Sequence, residues 1–241
     1  MRVVVIVQAR MTSTRLPGKV MKTVLGKPLL GYLLERLLRA RLADKVVVAT
    51  TINDTDQPVV DYCKSLGVSC FRGSEDDVLS RYYSAAIEQA ADVIVRVTGD
   101  CPLMDPAIID ATIATYHNAY PEYEYVSNTG DRSFPRGMDV EVFSFKALEE
   151  AHKEAKTPYE REHVTPYIYG HPEKYRVTGV SNRWTVDTPE DFELVRRLLE
   201  KIYPERPEFS VHDLFAALHD HPELRYINST IKQKGCCDPS R

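Results

Sequence analysis

Long apolar runs are missing from this 241-residue chain. No stretch approaches the ~18 consecutive apolar residues of a membrane-spanning helix, so a bilayer is not an expected partner. Excess charge of either sign is missing as well, with 31 Lys+Arg against 35 Asp+Glu and a formal net charge of -4. So balanced a chain sets up no global field for nucleic acid or an anionic membrane, and its positive charge has to act locally. Cysteine is scarce and odd in number: Cys63, Cys70, Cys101, Cys236 and Cys237. No CxxC pair suggests a structural zinc site, and the apolar settings of Cys63 and Cys70 predict buried thiols. A strand pattern starting within the first few residues leaves no room for a leader peptide, so a reduced, cytoplasmic protein is expected. GxxxxGK[ST] and GxGxxG are absent too (Lys19 is followed by Val20), which sets aside P-loop NTPases and Rossmann dehydrogenases.

What the chain has is an ordinary composition, 43% hydrophobic and 27% charged, with length enough to bury a full core. Residues 1–220 read as one continuous domain without internal repeats, and residues 221–241 as a patternless C-terminal tail. The most informative stretch is VVVIVQARMTSTRLPGK, Val3 to Lys19. It opens on β-branched residues only, Val3 to Val7, which predicts a strand buried on both faces of a parallel sheet. The chain then turns polar, placing Gln8, Arg10, Thr12, Ser13, Thr14, Arg15 and Lys19 just past the strand's carboxyl end. In open α/β sheets that edge binds ligands. Hydroxyls, the N–H groups of a Gly-containing loop and fixed cations suit a polyphosphate. A solvated basic loop would use the same residues without any ligand.

Downstream, helical and strand spacing alternate. Leu29–Leu42 carries Leu33, Leu34, Leu37, Leu38 and Leu42 at helical intervals, and Val46–Thr50 is a strand. Asp54 opens a helix that turns Val59, Val60, Cys63 and Leu66 inward and stops at Gly67. Val68–Phe71 is a strand, followed by a helix from Asp77 to Ala91 that buries Val78, Leu79, Tyr82, Ala86 and Ile87. Val93–Val97 is a strand and Pro106–Tyr120 a helix. This order predicts a doubly wound, mostly parallel α/β sheet with right-handed crossovers. Asp100, in Thr98-Gly99-Asp100-Cys101-Pro102, then lies at the same edge as the basic loop. A carboxylate facing a triphosphate there suits Mg2+, while an Asp forming a turn or helix cap before Pro102 is the alternative. Beyond Tyr120 the alternation loosens. Tyr123–Val126, Val140–Phe145 and Tyr175–Val180 read as strands, with helices at Lys146–Lys156, Phe192–Tyr203 and Val211–Leu218. Trp184 opens a short strand, and Asp187 or Thr188 reads as an N-cap ahead of Pro189.

Ala9, Arg10, Ser13, Arg15, Leu16, Pro17, Gly18 and Lys19 resemble the ARxxSxRLPGK loop of the sugar nucleotidyltransferases. The nearest forms are in cytidylyltransferases that activate acidic sugars such as 3-deoxy-manno-octulosonate and acylneuraminate. Within that set the chain is similar to the group named after spore-coat polysaccharide biosynthesis protein F. The resemblance implies a nucleotide-diphospho-sugar transferase-like fold, with a smaller antiparallel extension that closes over the acceptor and builds a homodimer. Gly99-Asp100 and Pro102 match the metal-site strand end of these enzymes, and Val186–Glu193, VDTPEDFE, matches the segment supplying a second metal carboxylate. Carried over, Asp187 joins Asp100 on Mg2+ and Asp191 is a helix residue. The resemblance further implies that Gln8, Ala9, Ser13 and Thr98 face the nucleotide, with Arg72, Ser74, Asp77 and Arg81 around the base. Asp77 and Arg81, four residues apart, would also form a plain helix-surface ion pair. Arg136, Asp139, Arg161, Glu162 and His163 are expected at the acceptor, although His163 alone also fits a structural hydrogen-bonding role. Residues 121–175 depart from the octulosonate enzymes, and Val97-Thr98 stands where many relatives carry a Gln before Gly-Asp, so neither acceptor nor base is read directly.

The implied chemistry is nucleotidyl transfer. A hydroxyl of a sugar or sugar acid attacks the α-phosphate of CTP and pyrophosphate leaves. Such chemistry rests on positioning and charge stabilisation, with Arg10, Arg15 and Lys19 on the triphosphate and Asp100 and Asp187 on Mg2+. Two other readings share the sheet. A nucleotide-sugar glycosyltransferase wants a DxD motif, for which Asp139-Val140-Glu141 is only a loose counterpart, and leaves the RLPGK loop unexplained. A non-catalytic nucleotide-binding protein would have no need of Arg10, Lys19, Asp100 and Asp187 together.

Overall fold

The β-branched run behaves as its composition dictates: it forms the central strand β1 (Val3–Gln8), with Val3 to Val7 all buried. The computed structural model describes residues 1–129, 134–171 and 185–228. β1 pairs in parallel with β4 (Lys45–Thr51) on one side and β6 (Val93–Thr98) on the other. β5 (Ser69–Gly73) continues the parallel set beyond β4. Past β6 the direction reverses: β8 (Glu141–Ser144) runs antiparallel to β6, and β7 (Tyr125–Ser127) antiparallel to β8. The order is therefore β5-β4-β1-β6-β8-β7, mostly parallel with an antiparallel extension, as the sequence predicts. A small hairpin of β2 (Thr23–Val24) and β3 (Lys27–Pro28) stands apart from it.

Successive residues of a strand point to opposite faces, and here both faces are covered. Val3, Val5 and Val7, with Val46, Val48, Val93 and Val95, share a core with residues of α1 (Leu29–Leu37), α2 (Gln57–Ser65), α4 (Pro106–Ala119), α8 (Pro189–Ile202) and α9 (Val211–Asp220). Val4, Ile6, Val47, Ala49 and Ile94 share the other with residues of α3 (Val78–Glu88), α5 (Phe145–Glu154) and α7 (Pro166–Tyr169). A fully buried Val or Ile contributes roughly 1.5–3 kcal/mol relative to an exposed one, so β1 is the most strongly specified part of the sheet. Its carboxyl end, at Gln8, leads into the basic loop.

Several helices are shorter than their apolar periodicity. α1 stops at Leu37, leaving Leu38 and Leu42 exposed rather than buried, because the Asp110 carboxylate takes the backbone N–H groups of Arg41 and Leu42 and draws the chain off the helix axis. Leu66 and Ile87 are exposed as well; each follows a helix's buried stripe but falls outside it. Phe145 opens α5 instead of closing a strand, since Ser144 caps that helix through Ala147. α6 (Pro158–His163), with a capping box from Thr157 and Glu160, and α7 were not anticipated. At the other end a turn of 3-10 helix, Pro222–Tyr226, buries Leu224, and the packed body runs past the boundary expected at residue 220. The expected strand Tyr175–Val180, Trp184 and the Cys236-Cys237 pair lie outside the described residues. Among the described residues no helix is long and apolar enough to cross a membrane.

Where β1 and β6 end, their chains all but touch. The Gly99 N–H donates to the Gln8 carbonyl at 2.8 Å, and a Cβ at Gly99 would lie 2.9 Å from both that oxygen and the Ala9 Cβ. Gly99→Ala is therefore expected to cost about 1–3 kcal/mol, as overpacking does, seen as a lower urea midpoint at unchanged m-value. An unaltered midpoint would mean the two strand ends can part freely.

Candidate active site

The loop after β1 is shaped by one left-handed residue and two carboxylates. Gly18 has φ +67°, a conformation that costs a glycine little, and its N–H donates to the Met11 carbonyl at 2.8 Å. That turn starts a short 3-10 helix, Lys19–Met21, which sinks Val20 into the core and folds Lys19 back beneath the strand ends. Asp56, fully buried, accepts from the Met11 N–H at 2.7 Å, the Thr51 N–H at 3.1 Å and the hydroxyls of Thr50 and Thr51. Burial works to raise the Asp56 pKa, but these donors outweigh it and hold it below the ordinary value. Glu75 accepts from Thr12 and Asn53 and pairs with Arg10 across 3.4 Å. The basic loop is thus tied to the β4 and β5 exits, not loose in solvent.

At the centre, the Lys19 Nζ lies 2.6 Å from the Asp100 Oδ2 and 2.8 Å from the Asp187 Oδ1. The Arg15 Nη2 reaches the same Asp187 oxygen at 2.9 Å. Asp100 is placed by the end of β6, and Thr98 donates to its other oxygen at 2.6 Å. Asp187 is brought in through the main chain, where the Val186 N–H donates to the Asp100 carbonyl at 3.0 Å. The turn is then locked by the capping box of Thr188 and Asp191 that begins α8. Burial opposes charge on Lys19 and Asp100 alike, yet each holds the other ionised: the lysine pKa is raised, with Asp187 also contributing, and the Asp100 pKa is lowered.

Two clefts meet at this centre. The first, about 140 Å³, is lined by Gln8, Ala9, Arg10, Ser13, Lys19, Val20, Arg81, Thr98, Gly99 and Asp100. The second, about 250 Å³, is lined by Arg96, Thr98, Asp100, Cys101, Thr129, Arg136, Asp139, Glu141, Tyr159, His163, Thr165, Tyr169 and Thr185. Thr98 and Asp100 stand in both walls, so molecules held in the two clefts would approach one another there. The Arg81 guanidinium is buried in the first cleft's wall, bonded to the Ser74 carbonyl at 2.7 Å, and its Nε has no hydrogen-bond partner.

The structure divides the remaining expected residues between cleft and framework. Arg136, Asp139 and His163 line the second cleft; Arg161 and Glu162 are not in its wall. Arg72 donates to the carbonyls of Thr51 and Asn53, each at 2.9 Å, and to Gln57, bracing the turn after β4. Ser74 accepts from the Asp77 N–H, and Asp77 in turn caps α3 through Ser80. The helix-surface pair of Asp77 with Arg81 does not form, because Asp77 instead faces Arg161, whose Nε lies 3.1 Å from both carboxylate oxygens. Sequence reasoning missed Asp56, Glu75 and a cross-strand pair, Arg96 on β6 with Glu141 on β8. The Tyr125 hydroxyl donates to Glu141 at 2.7 Å, and Arg96 also reaches the Gln8 side chain at 3.3 Å. One signal was available for that pair: an arginine inside the otherwise apolar run Val93–Val97. Tyr159 and Tyr169, whose hydroxyls lie 3.3 Å apart at the mouth of the second cleft, had none.

The Cytidylyltransferase family model matches residues 4–233. An uncharacterized protein of Methanocaldococcus jannaschii is 39% identical over 243 residues, covering 97% of each chain. The spore coat polysaccharide biosynthesis protein SpsF of Bacillus subtilis is 34% identical over 232 residues, 90% of this chain and 94% of its own. Among solved structures, a cytidylyltransferase from Leptospira borgpetersenii serovar Hardjo-bovis superposes with TM-score 0.89 at 38% identity, covering 97% of this chain and all of the other.

The ion cluster makes a pH prediction. A carboxylate held below its ordinary pKa of 3.8, as Asp100 is, contributes stability that is fully present above that value and is lost as pH falls through the folded pKa. Lys19, held above 10.5, contributes stability that is present below that value and lost as pH rises through the folded pKa. Urea midpoints measured from neutral to acid pH should therefore fall less steeply in Asp100→Asn than in the wild type. Parallel curves would deny Asp100 this role.

Proposed function

The chain belongs to the cytidylyltransferase family, and we propose that it joins the CMP moiety of CTP to a hydroxyl of a sugar acid, releasing pyrophosphate, in the making of a surface-polysaccharide precursor. The observation that carries this reading is Asp100, standing in the walls of both clefts with a buried lysine beside it. The polysaccharide context follows SpsF, and the acceptor class follows a 3-deoxy-manno-octulosonate cytidylyltransferase of Geobacter metallireducens, 36% identical over 116 residues, 47% of this chain and 44% of its own.

The first cleft takes the nucleotide. Arg10, Lys19 and the buried Arg81, with Arg15 at the Asp187 side, offer positive charge to the triphosphate, and Gln8, Ala9, Ser13 and Thr98 line its path. Arg72, Ser74 and Asp77 hold the surrounding turns. The second cleft takes the acceptor against Arg136, Asp139 and His163, its hydroxyl directed at the α-phosphate near Asp100. In-line attack there gains mainly from positioning and from cations already aimed at the leaving pyrophosphate. Arg161 and Glu162 act at one remove, through the packing of α6.

Asp100 and Asp187 form a donor set that fits Mg2+. Their oxygens converge on one cation centre, and this ion takes one or two carboxylates while drawing its other ligands from phosphate oxygens and water. When bound, Mg2+ would neutralise phosphate charge and polarise the α-phosphorus. We place the reaction in the cytoplasm, where CTP is made, and expect a homodimer built through the antiparallel extension.

Pyrophosphate release from each nucleoside triphosphate, offered with a panel of sugar acids and neutral sugars, tests the assignment. CTP with a sugar acid should be turned over, and Lys19→Ala and Asp100→Ala should each lower turnover by ~10²-fold or more with the far-UV dichroism unchanged. His163→Ala should act on the acceptor KM. Full activity in both the lysine and the aspartate variants would sink the proposed centre.

A further inference from the structure

The two carboxylates proposed for the metal already hold a cation that belongs to the chain itself. The Lys19 ammonium sits within hydrogen-bond distance of an oxygen from each, 2.6 Å from Asp100 and 2.8 Å from Asp187. Lys19 is only 9% exposed, so solvent and salt screen this contact weakly. Arg15 adds a second positive charge on Asp187, 2.9 Å from the oxygen that Lys19 also holds. We infer that Lys19 is a resident cation at the metal position, so that the divalent ion enters together with the nucleotide and not before it.

The inference rests on the reading of Asp100 and Asp187 as the metal carboxylates. A divalent ion arriving alone must compete for those oxygens with the Lys19 ammonium and the Arg15 guanidinium. A metal–triphosphate complex changes that competition. It brings phosphate oxygens into the first cleft, whose wall Lys19 shares with Arg10 and Arg81. The lysine stem is flexible and its three donors rotate freely, so the ammonium can turn from carboxylate to phosphate as the metal takes its place. The backbone need not move. It is pinned by the Gly18–Met11 hydrogen bond ahead of Lys19 and by the Lys22 N–H on the Lys19 carbonyl behind it. Metal and nucleotide then favour each other's binding by the same factor, as linkage requires.

Binding of Mn2+, followed by the paramagnetic resonance of the free ion, tests this without turnover. Measurements would cover wild type, Lys19→Met, Lys19→Arg and the double variant Lys19→Met/Asp100→Asn, each with and without CTP. Removing the resident cation should tighten Mn2+ binding in the absence of nucleotide by about tenfold or more, in the usual range for coupled sites. Lys19→Arg, which keeps a cation there, should stay weak. The double variant should lose the gain, which locates the ion. In the wild type, CTP should raise Mn2+ affinity severalfold. Wild type binding Mn2+ alone as tightly as Lys19→Met would overturn the inference and leave the metal site standing, provided that binding also responds to Asp100→Asn. Absence of any Asp100-dependent Mn2+ site, even with CTP, would remove the metal reading and this inference with it.

Discussion

A lysine withdrawn from water between two carboxylates is the constraint on which the site depends. Lys19 is separated from Asp100 by 81 residues and from Asp187 by 168, so the cluster exists only if three remote pieces of chain are delivered to one place. Each buried charge costs several kcal/mol to desolvate and is tolerable only when its partners are in position. The delivery is done by backbone, not by side chains. Gly18 turns the loop under β1, the Gly99–Gln8 hydrogen bond draws β6 against it, and the Val186–Asp100 hydrogen bond lays the start of α8 alongside.

α8 is held down in its turn by contacts far from the chemistry. Asn228 donates to the buried Asp191 at 2.8 Å, tying the last described turn to the capping box that sets Asp187. Arg36 is buried in α1, where it donates to the Phe209 carbonyl at 2.9 Å and stacks on that ring with its guanidinium carbon 3.8 Å from the centroid. Burial lowers its pKa to about 10, while the nearby Asp105 carboxylate works the other way. The C-terminal helices are thus part of the scaffold that holds Asp187 at the carboxyl edge of the sheet.

The parts legible in the sequence were those written in short-range pattern. The β-branched run of β1, the Arg-rich loop, Gly99-Asp100 at a strand end and the N-cap at Asp187 or Thr188 ahead of Pro189 are each contained in a few consecutive residues. What was illegible depends on partners remote in sequence. Nothing near Asp56 or Glu75 signals that they fasten the loop of β1, and nothing near Arg72 signals that its donors brace the turn after β4. The early end of α1 is dictated by Asp110, on another helix. Glu141, the last acid of the loose Asp139-Val140-Glu141 counterpart to DxD, is engaged by Arg96 and Tyr125 across the sheet.

If the cluster at the carboxyl edge is a triphosphate site, nucleotide affinity must depend on it and on a divalent ion together. Calorimetric titration of CTP, ATP, GTP and UTP into wild type and Asp100→Asn, with and without Mg2+, measures that dependence directly. Metal-dependent binding that favours CTP and is lost in the variant is the predicted result. Binding of CTP that ignores both the metal and Asp100 would contradict the account.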